Sequence, residues 1–287
     1  MLTAKEKNKM QTKTCTYQSA KIFYRTMGAG KPVVLIHGFG EDGNIWKNQV
    51  EFLKEYFFLI IPDLPGSGQS ALIKDMSMEG MAEMIKALID FELKLPLILS
   101  EVEGQGAEGV SGVCLIGHSM GGYITLAFAE KYPHLLSSFA LVHSSAYADN
   151  EEKKASRLKA IEFVKKNGAY EFLKTAIPAL FTQAWALQNK QVVEDLVEKS
   201  KSFTNEAIVA YYHAMINRTD RTAVLKNFNK PILFIIGQHD KAIPFEQSMP
   251  QSYLPNQAYI HILRSSAHMG MQEEADKVNE ALVQFLK

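Results

Sequence analysis

The sequence predicts an α/β fold with a mostly parallel sheet, and three observations predict it. Apolar runs at residues 33–36, 57–61, 113–116, 139–143, 232–236 and 259–263 have the length of strands buried on both faces, as a parallel sheet requires. Helical periods lie between most of these runs, so strands alternate with crossover helices. The alternation is broken once, between about residues 150 and 228, where helical periods follow one another with no strand among them.

Taken in order, residues 14–17 and 21–25 are rich in β-branched and aromatic side chains and flank Gln18-Ser19-Ala20, the pattern of a β-hairpin. The runs at 33–36 and 57–61 follow as strands. Met81, Met84, Ile85, Leu88 and Ile89 then mark one face of a helix at i, i+3, i+4, i+7, i+8 spacing. Residues 100–112 contain Gly104, Gly106, Gly109 and Gly112 and read as a surface loop. A strand at 113–116, a helical run at 123–131 and a strand at 139–143 come next. Within the break, Leu158, Ile161 and Val164, then Ile208, Tyr211, Tyr212, Met215 and Ile216, repeat the helical period. It opens with the charge run Glu151-Glu152-Lys153-Lys154, which reads as a solvated helix face. Strands at 232–236 and 259–263 and a helix with Val278, Ala281, Leu282, Phe285 and Leu286 on its apolar face complete the chain. The expected division is a core of residues 14–149 and 229–287 carrying a helical cap at 150–228.

Composition agrees with a folded globular chain. At roughly 150 residues per domain, 287 residues suit one large fold or a core with an insertion. Hydrophobic residues at 47% and charged residues at 22% exclude intrinsic disorder, collagen and coiled coil. The 31 basic and 31 acidic residues cancel, leaving no electrostatic footprint for nucleic acid or an anionic membrane. Cys15 and Cys114 stand apart without CxxC or histidine spacing, so neither a disulfide framework nor a zinc site is expected, and a reducing compartment fits. Lys5, Lys7, Lys9 and Lys13 have no apolar stretch behind them, and no apolar run approaches the ~18 residues of a membrane span. The expectation is a cytoplasmic protein.

The strongest local signal is Gly117-His118-Ser119-Met120-Gly121, directly after one predicted strand and before a helical run. A serine on so sharp a turn needs glycines two residues to either side, so that strand and helix can approach. The turn lifts the Ser119 hydroxyl clear of the sheet and aims the Met120 N–H, at a helix start, toward a developing oxyanion. A helix-capping serine is the plain alternative, but strand, helix and Gly122 all fall where a nucleophile needs them. A hydroxyl is a weak nucleophile without a base, so a histidine and an orienting acid must come from elsewhere. Of eight histidines, His118 is expected to diverge from Ser119, while His134, His143, His213 and His261 lie in helical or strand contexts and His239 precedes a candidate acid. His268 differs, because it sits in a loop between the last strand and the last helix. Asp240 follows the run at 232–236 at the same sheet edge; its rival Asp63 opens a Pro-Gly turn, where backbone N–H groups explain a carboxylate. The order Ser119, Asp240, His268 is the Ser…Asp…His order of one class of serine hydrolase. His37-Gly38-Phe39-Gly40 follows the run at 33–36 and is placed to supply a second oxyanion donor, the Phe39 N–H.

These segments together resemble the α/β-hydrolase superfamily, in particular lid-bearing serine esterases. The resemblance runs from about Ile22 to the end, through HGFG at 37–40, DLPGSGQS at 63–70, GHSMGGY at 117–123, GQHDKAIP at 237–244 and AHMGMQEEADKVNEAL at 267–282. It implies an eight-stranded, mostly parallel sheet under a helical cap, no cofactor or metal, and Ser119, Asp240 and His268 as a triad. The expected reaction is hydrolysis of a small to medium apolar carboxylic ester. A C–C bond hydrolase, thioesterase, lactonase or perhydrolase would use the same three residues, and a small-molecule receptor on this fold is an alternative of another class. A serine at the elbow excludes the dehalogenases and epoxide hydrolases that use aspartate there. Tyr170, Phe172, Phe181, Trp185, Phe203, Tyr211 and Tyr212 are candidates to line an apolar pocket, at least half of them packing the cap's own core instead. Phe39, His118, Tyr147, Phe181, Trp185, Tyr212 and Met269 are the expected pocket residues. The expected partners are a small-molecule ester and, at most, a second copy of the chain.

Overall fold

The computed structural model describes residues 9–93 and 112–287. Among them, strands β1 (Gln11–Tyr17), β2 (Ala20–Met27), β3 (Pro32–Ile36), β4 (Phe58–Pro62), β5 (Val113–His118), β6 (Leu136–Val142), β7 (Ile232–Gly237) and β8 (Ala258–Leu263) form one sheet. The strand order is β1-β2-β4-β3-β5-β6-β7-β8. β2 pairs antiparallel with both β1 and β4, and all pairings from β4 to β8 are parallel, so β2 alone runs against the rest. Helices α1 (Lys47–Leu53), α2 (Met78–Leu93), α3 (Met120–Lys131), α4 (Glu151–Asn167), α5 (Ala169–Ala176), α6 (Gln183–Gln188), α7 (Lys190–Lys199), α8 (Asn205–Asn217), α9 (Thr222–Asn227), α10 (Phe245–Gln251), α11 (Gly270–Glu273) and α12 (Ala275–Leu286) complete the fold.

Local chemistry accounts for these elements. The first hairpin closes tighter than its sequence suggests: Ala20 pairs with Tyr17, leaving Gln18 and Ser19 alone at φ 46° and 73°, the positive-φ pair that matches strand twist. α2 buries Met81, Met84, Ile85, Leu88 and Ile89, the face its periodicity marks. The central strands β3, β5 and β7 are apolar and buried along almost their whole length. β8 is different. It is an edge strand with Tyr259 45%, Ile260 38% and Ile262 36% exposed, so the expectation of burial on both faces fails there, at the margin of the sheet where covering elements run out. Between β6 and β7 lie α4 to α9, with no strand among them. The glycine-rich stretch at 100–111 lies outside the described residues.

β3, β5, β6, β7 and β8 are consecutive neighbours and parallel, so the loops after their carboxyl ends open on one rim. These loops carry Phe39, Ser119, His143, Asp240 and His268. Such a rim is where open α/β sheets hold their ligands.

Candidate active site

Ser119 sits between β5 and α3 at φ 49°, ψ −115°, a backbone region L-residues rarely adopt. The turn holds because its flanks are tight. The Ser119 N–H donates to the Val142 carbonyl at 2.9 Å, and the Ser144 hydroxyl donates to the Ser119 carbonyl at 2.8 Å. A Cβ at Gly117 would lie 2.4 Å from the Gly121 carbonyl oxygen, and one at Gly121 would lie 2.3 Å from that of Ile36. Only hydrogen fits at either position, as the sequence spacing requires. Met120 opens α3, so its N–H is a helix-start donor that no carbonyl of that helix can take.

The structure brings the three widely separated residues together. Ser119 Oγ lies 2.9 Å from His268 Nε2, and His268 Nδ1 lies 2.8 Å from Asp240 Oδ2. With Nδ1 facing a carboxylate, that nitrogen carries the proton, and Nε2 is left to accept from the serine hydroxyl. Asp240 is buried, and its other oxygen accepts the N–H groups of Ala242 and Ile243, each at 2.8 Å. Burial pushes this carboxyl up, but the His268 charge and the bonds from His143 and His268 outweigh it and hold it well below the usual carboxylate range. Asp63 takes no part. It is buried against Arg25 (2.8 Å) and the N–H groups of Gly43 and Gln69.

Two further histidines are built into the site. His143, at φ 49°, accepts the Gly270 N–H on Nε2 at 3.2 Å, so its proton lies on Nδ1, 3.2 Å from Asp240 Oδ2. Burial lowers its pKa despite that carboxylate, and the ring is neutral. His118 turns away from Ser119: Nδ1 lies 3.0 Å from Glu41 Oε2, and Nε2 lies 3.0 Å from the His268 carbonyl oxygen. Glu41 also accepts the Gly38 N–H at 2.7 Å. A chain of bonds therefore joins the loop after β3, the elbow and the His268 loop. Glu41 and the role of His143 escape the sequence reading.

His143, Asp240 and His268 form a group of potential metal-ligating side chains among the described residues, with ligand atoms within 4.8 Å of one another. Both Nδ1 atoms already bond one carboxylate oxygen, and the two Nε2 atoms are taken by the Gly270 N–H and Ser119 Oγ. A metal would have to displace these bonds.

A cavity of about 460 Å³ opens over Ser119 and His268, a size suited to a small ligand. Phe39 and Tyr212 line it, their rings 4.6 Å apart, together with Tyr123, Leu173, Ile177 and Met215. The other expected pocket residues do not. His118 and Met269 are fully packed behind the His268 loop. Phe181 stacks on Trp185 at 4.9 Å, and Trp185 lines a second cavity with Leu196 and Phe203. Tyr147 lines a neighbouring hollow beside Asp149 and Arg218. Tyr211 is core: its hydroxyl bonds the Pro65 carbonyl and Ser67. Phe172 packs edge-on against Tyr212, and Tyr170 faces Lys201. Charged lining comes from Glu41, Glu152, Lys153, Arg157 and Lys241.

A sequence model of the alpha/beta hydrolase family matches residues 33–281. Lipase 1 of Psychrobacter immobilis is 27% identical over 293 residues, covering 95% of this chain and 83% of that protein. The 2-hydroxy-6-oxo-6-phenylhexa-2,4-dienoate hydrolase of Comamonas testosteroni is 22% identical over 281 residues, covering 93% and 91%. Among solved structures, a thermophilic esterase from Thermogutta terrifontis superposes with a TM-score of 0.85 at 28% identity, covering 96% of this chain and 98% of that one. An enol-lactonase from Burkholderia xenovorans gives 0.83 at 21%, covering 96% and 99%, a likeness of fold alone.

Proposed function

The chain belongs to the α/β-hydrolase family, and from that premise we propose that it hydrolyses carboxylic esters through an acyl-enzyme on Ser119. One observation carries the reading: the hydroxyl of a strained strand-to-helix serine lies 2.9 Å from an imidazole whose other nitrogen lies 2.8 Å from a buried carboxylate. His268 Nε2 takes the Ser119 proton as Oγ attacks the ester carbonyl. Asp240, held ionised, keeps the other proton on Nδ1 and stabilises the imidazolium. The N–H groups of Phe39 and Met120 stabilise the oxyanion. His268 then protonates the leaving alcohol, and a water molecule repeats the sequence to release the acid. Residues 150–228 act as a cap over this site, on a core of 14–149 and 229–287.

Purified protein assayed on p-nitrophenyl acetate and butyrate tests the reading. Steady multiple turnover is expected, with a loss of at least about 10³-fold in kcat for Ser119→Ala, because the residual donors and binding retain little of the acceleration. Near-native turnover by that variant, or a single acylation without turnover by the parent, would reject it.

A further inference from the structure

A second charged cluster reaches the same cavity and is not used by the hydrolytic chemistry. Asp149 precedes α4 and is buried, and its carboxylate takes two guanidinium groups. Arg157 donates Nε to Oδ2 at 2.6 Å and Nη2 to Oδ1 at 3.5 Å, and Arg218 Nη2 lies 2.9 Å from Oδ1. These side chains are 0%, 14% and 4% exposed, so one buried negative charge faces two positive ones. Arg218 donates Nη1 to the Met215 carbonyl and Nη2 to the Tyr147 carbonyl and lies over the Tyr123 ring. Arg157 is different. Among the described residues its Nη1 hydrogen-bonds only the thioether of Met215 at 3.2 Å, a weak acceptor, and the residue lines the cavity together with Ser119 and His268.

The rest of the lining does not cancel this charge. Lys153 gives its ammonium group to the Ala242 carbonyl, and Lys241 has no carboxylate partner among the described residues. Of the acids, Glu41 is committed to His118 and Gly38, and Glu152 is exposed on α4. A buried excess of positive charge is costly unless an anion joins it. A guanidinium fixed along one edge by Asp149 presents its other edge for paired bonds to a carboxylate. The Arg157 guanidinium carbon lies 5.9 Å from the Tyr212 ring, which lies 4.6 Å from that of Phe39 in the loop beside Ser119. Arg157, Tyr212, Phe39 and Ser119 thus line one cavity, with aromatic surface between the guanidinium and the hydroxyl.

We propose that the substrate is itself a carboxylate, a half-ester of a short dicarboxylic acid or an ester of a short hydroxy acid, whose anionic end is received by Arg157 while its ester carbonyl meets Ser119. The inference rests on the hydrolase reading for the reacting end only.

The test compares isosteric p-nitrophenyl esters whose acyl chains end in a carboxylate (hemiglutarate), a methyl group (pentanoate) or a trimethylammonium group, with a matching series placing the charge on the alcohol side. In at least one series kcat/KM is expected to be about tenfold or more higher for the anionic than for the neutral ester, with the cationic ester last. The preference should collapse in Arg157→Gln and survive in part in Arg157→Lys. Equal or reversed preference by the unaltered protein, which requires no variant to fold, overturns the proposal, as does an unchanged preference in a folded Arg157→Gln. Calorimetric titration of monoethyl glutarate into Ser119→Ala reads the anion site without chemistry. Binding that is lost on adding Arg157→Gln, from a protein that turns over none of the esters, would keep the carboxylate site and reject the hydrolase reading. Turnover with no binding preference for the anion would do the reverse.

Discussion

His118 lies between two acceptors, the Glu41 carboxylate on Nδ1 and the His268 carbonyl on Nε2, so the ring carries both protons. Burial alone would lower its pKa, but the Glu41 charge and hydrogen bond outweigh it and raise the value above 6.5. Glu41 mirrors this: burial raises it, the His118 charge and bond prevail, and it falls below 4.5. The raised histidine contributes stability that is full below its unfolded value near 6.5 and is lost as pH rises through the folded value. The lowered carboxyl contributes above about 4.5 and is lost as pH falls through its folded value. The Tm difference between the parent protein and His118→Asn should therefore be greatest between these pH values and shrink toward the alkaline side in thermal melts. A difference that stays constant from pH 6 to 9 would show that the ring is not charged. Glu41→Gln leaves the imidazolium buried without a counter-charge and should cost about 3–5 kcal/mol in urea unfolding. None of this pairing was legible in the sequence. Ser119, Asp240 and His268 each stand just beyond a strand run, so a topology rule gathers them. Glu41 and His118, 77 positions apart, are joined only by packing.

At the scale of elements, the approach of α3 to β3 fixes where the serine stands. A Cβ at Gly121 would lie 2.3 Å from the Ile36 carbonyl oxygen and 2.6 Å from that of His37, both backbone atoms that no rotamer can move. Gly121→Ala should push α3 off the sheet, cost about 3 kcal/mol and remove the proposed esterase activity beyond what the stability loss explains. A melt within a degree of the parent protein would show slack at the elbow. Strand existence was readable throughout because continuous apolar runs have few other uses. Exposure was not: β8, apolar but for His261, reads as a strand just as β7 does yet lies at the sheet's edge, and strand order is set by crossover connections that no local pattern encodes. Of the helices between β6 and β7, α4 and α8 were legible by period, and of the pocket aromatics Phe39 and Tyr212 were legible whereas Tyr147, Phe181 and Trp185 were misplaced. A ring on a short amphipathic helix can face the cavity, as Tyr212 does, or a stacking partner, as Phe181 does, with the same spacing.

Across the whole molecule, the helical segment between β6 and β7 is tied to the sheet rim through the His268 loop itself. The His268 N–H donates to the Leu180 carbonyl at 2.9 Å, and the Thr182 N–H donates to Glu273 Oε1 at 2.8 Å. Glu273 Oε2 accepts from the Ala267 N–H at 2.9 Å and the Ser266 hydroxyl at 3.1 Å. One carboxylate thus holds both sides of the joint, and a movement that separates Leu180 from His268 also loosens the imidazole. Glu273→Ala removes three charge-assisted bonds while leaving the sheet intact, so it should release the joint without unfolding the core. Amide hydrogen exchange should then accelerate by roughly ten- to hundredfold at Thr182 and His268 together, while amides of β5 and β7 keep their protection. If these two amides exchange independently, or the sheet loses protection with them, the joint is not a local unit. Coupled release should also lower kcat for a p-nitrophenyl ester more than it raises KM, because His268, the proposed base, loses its fixed position whereas the cavity's apolar lining remains.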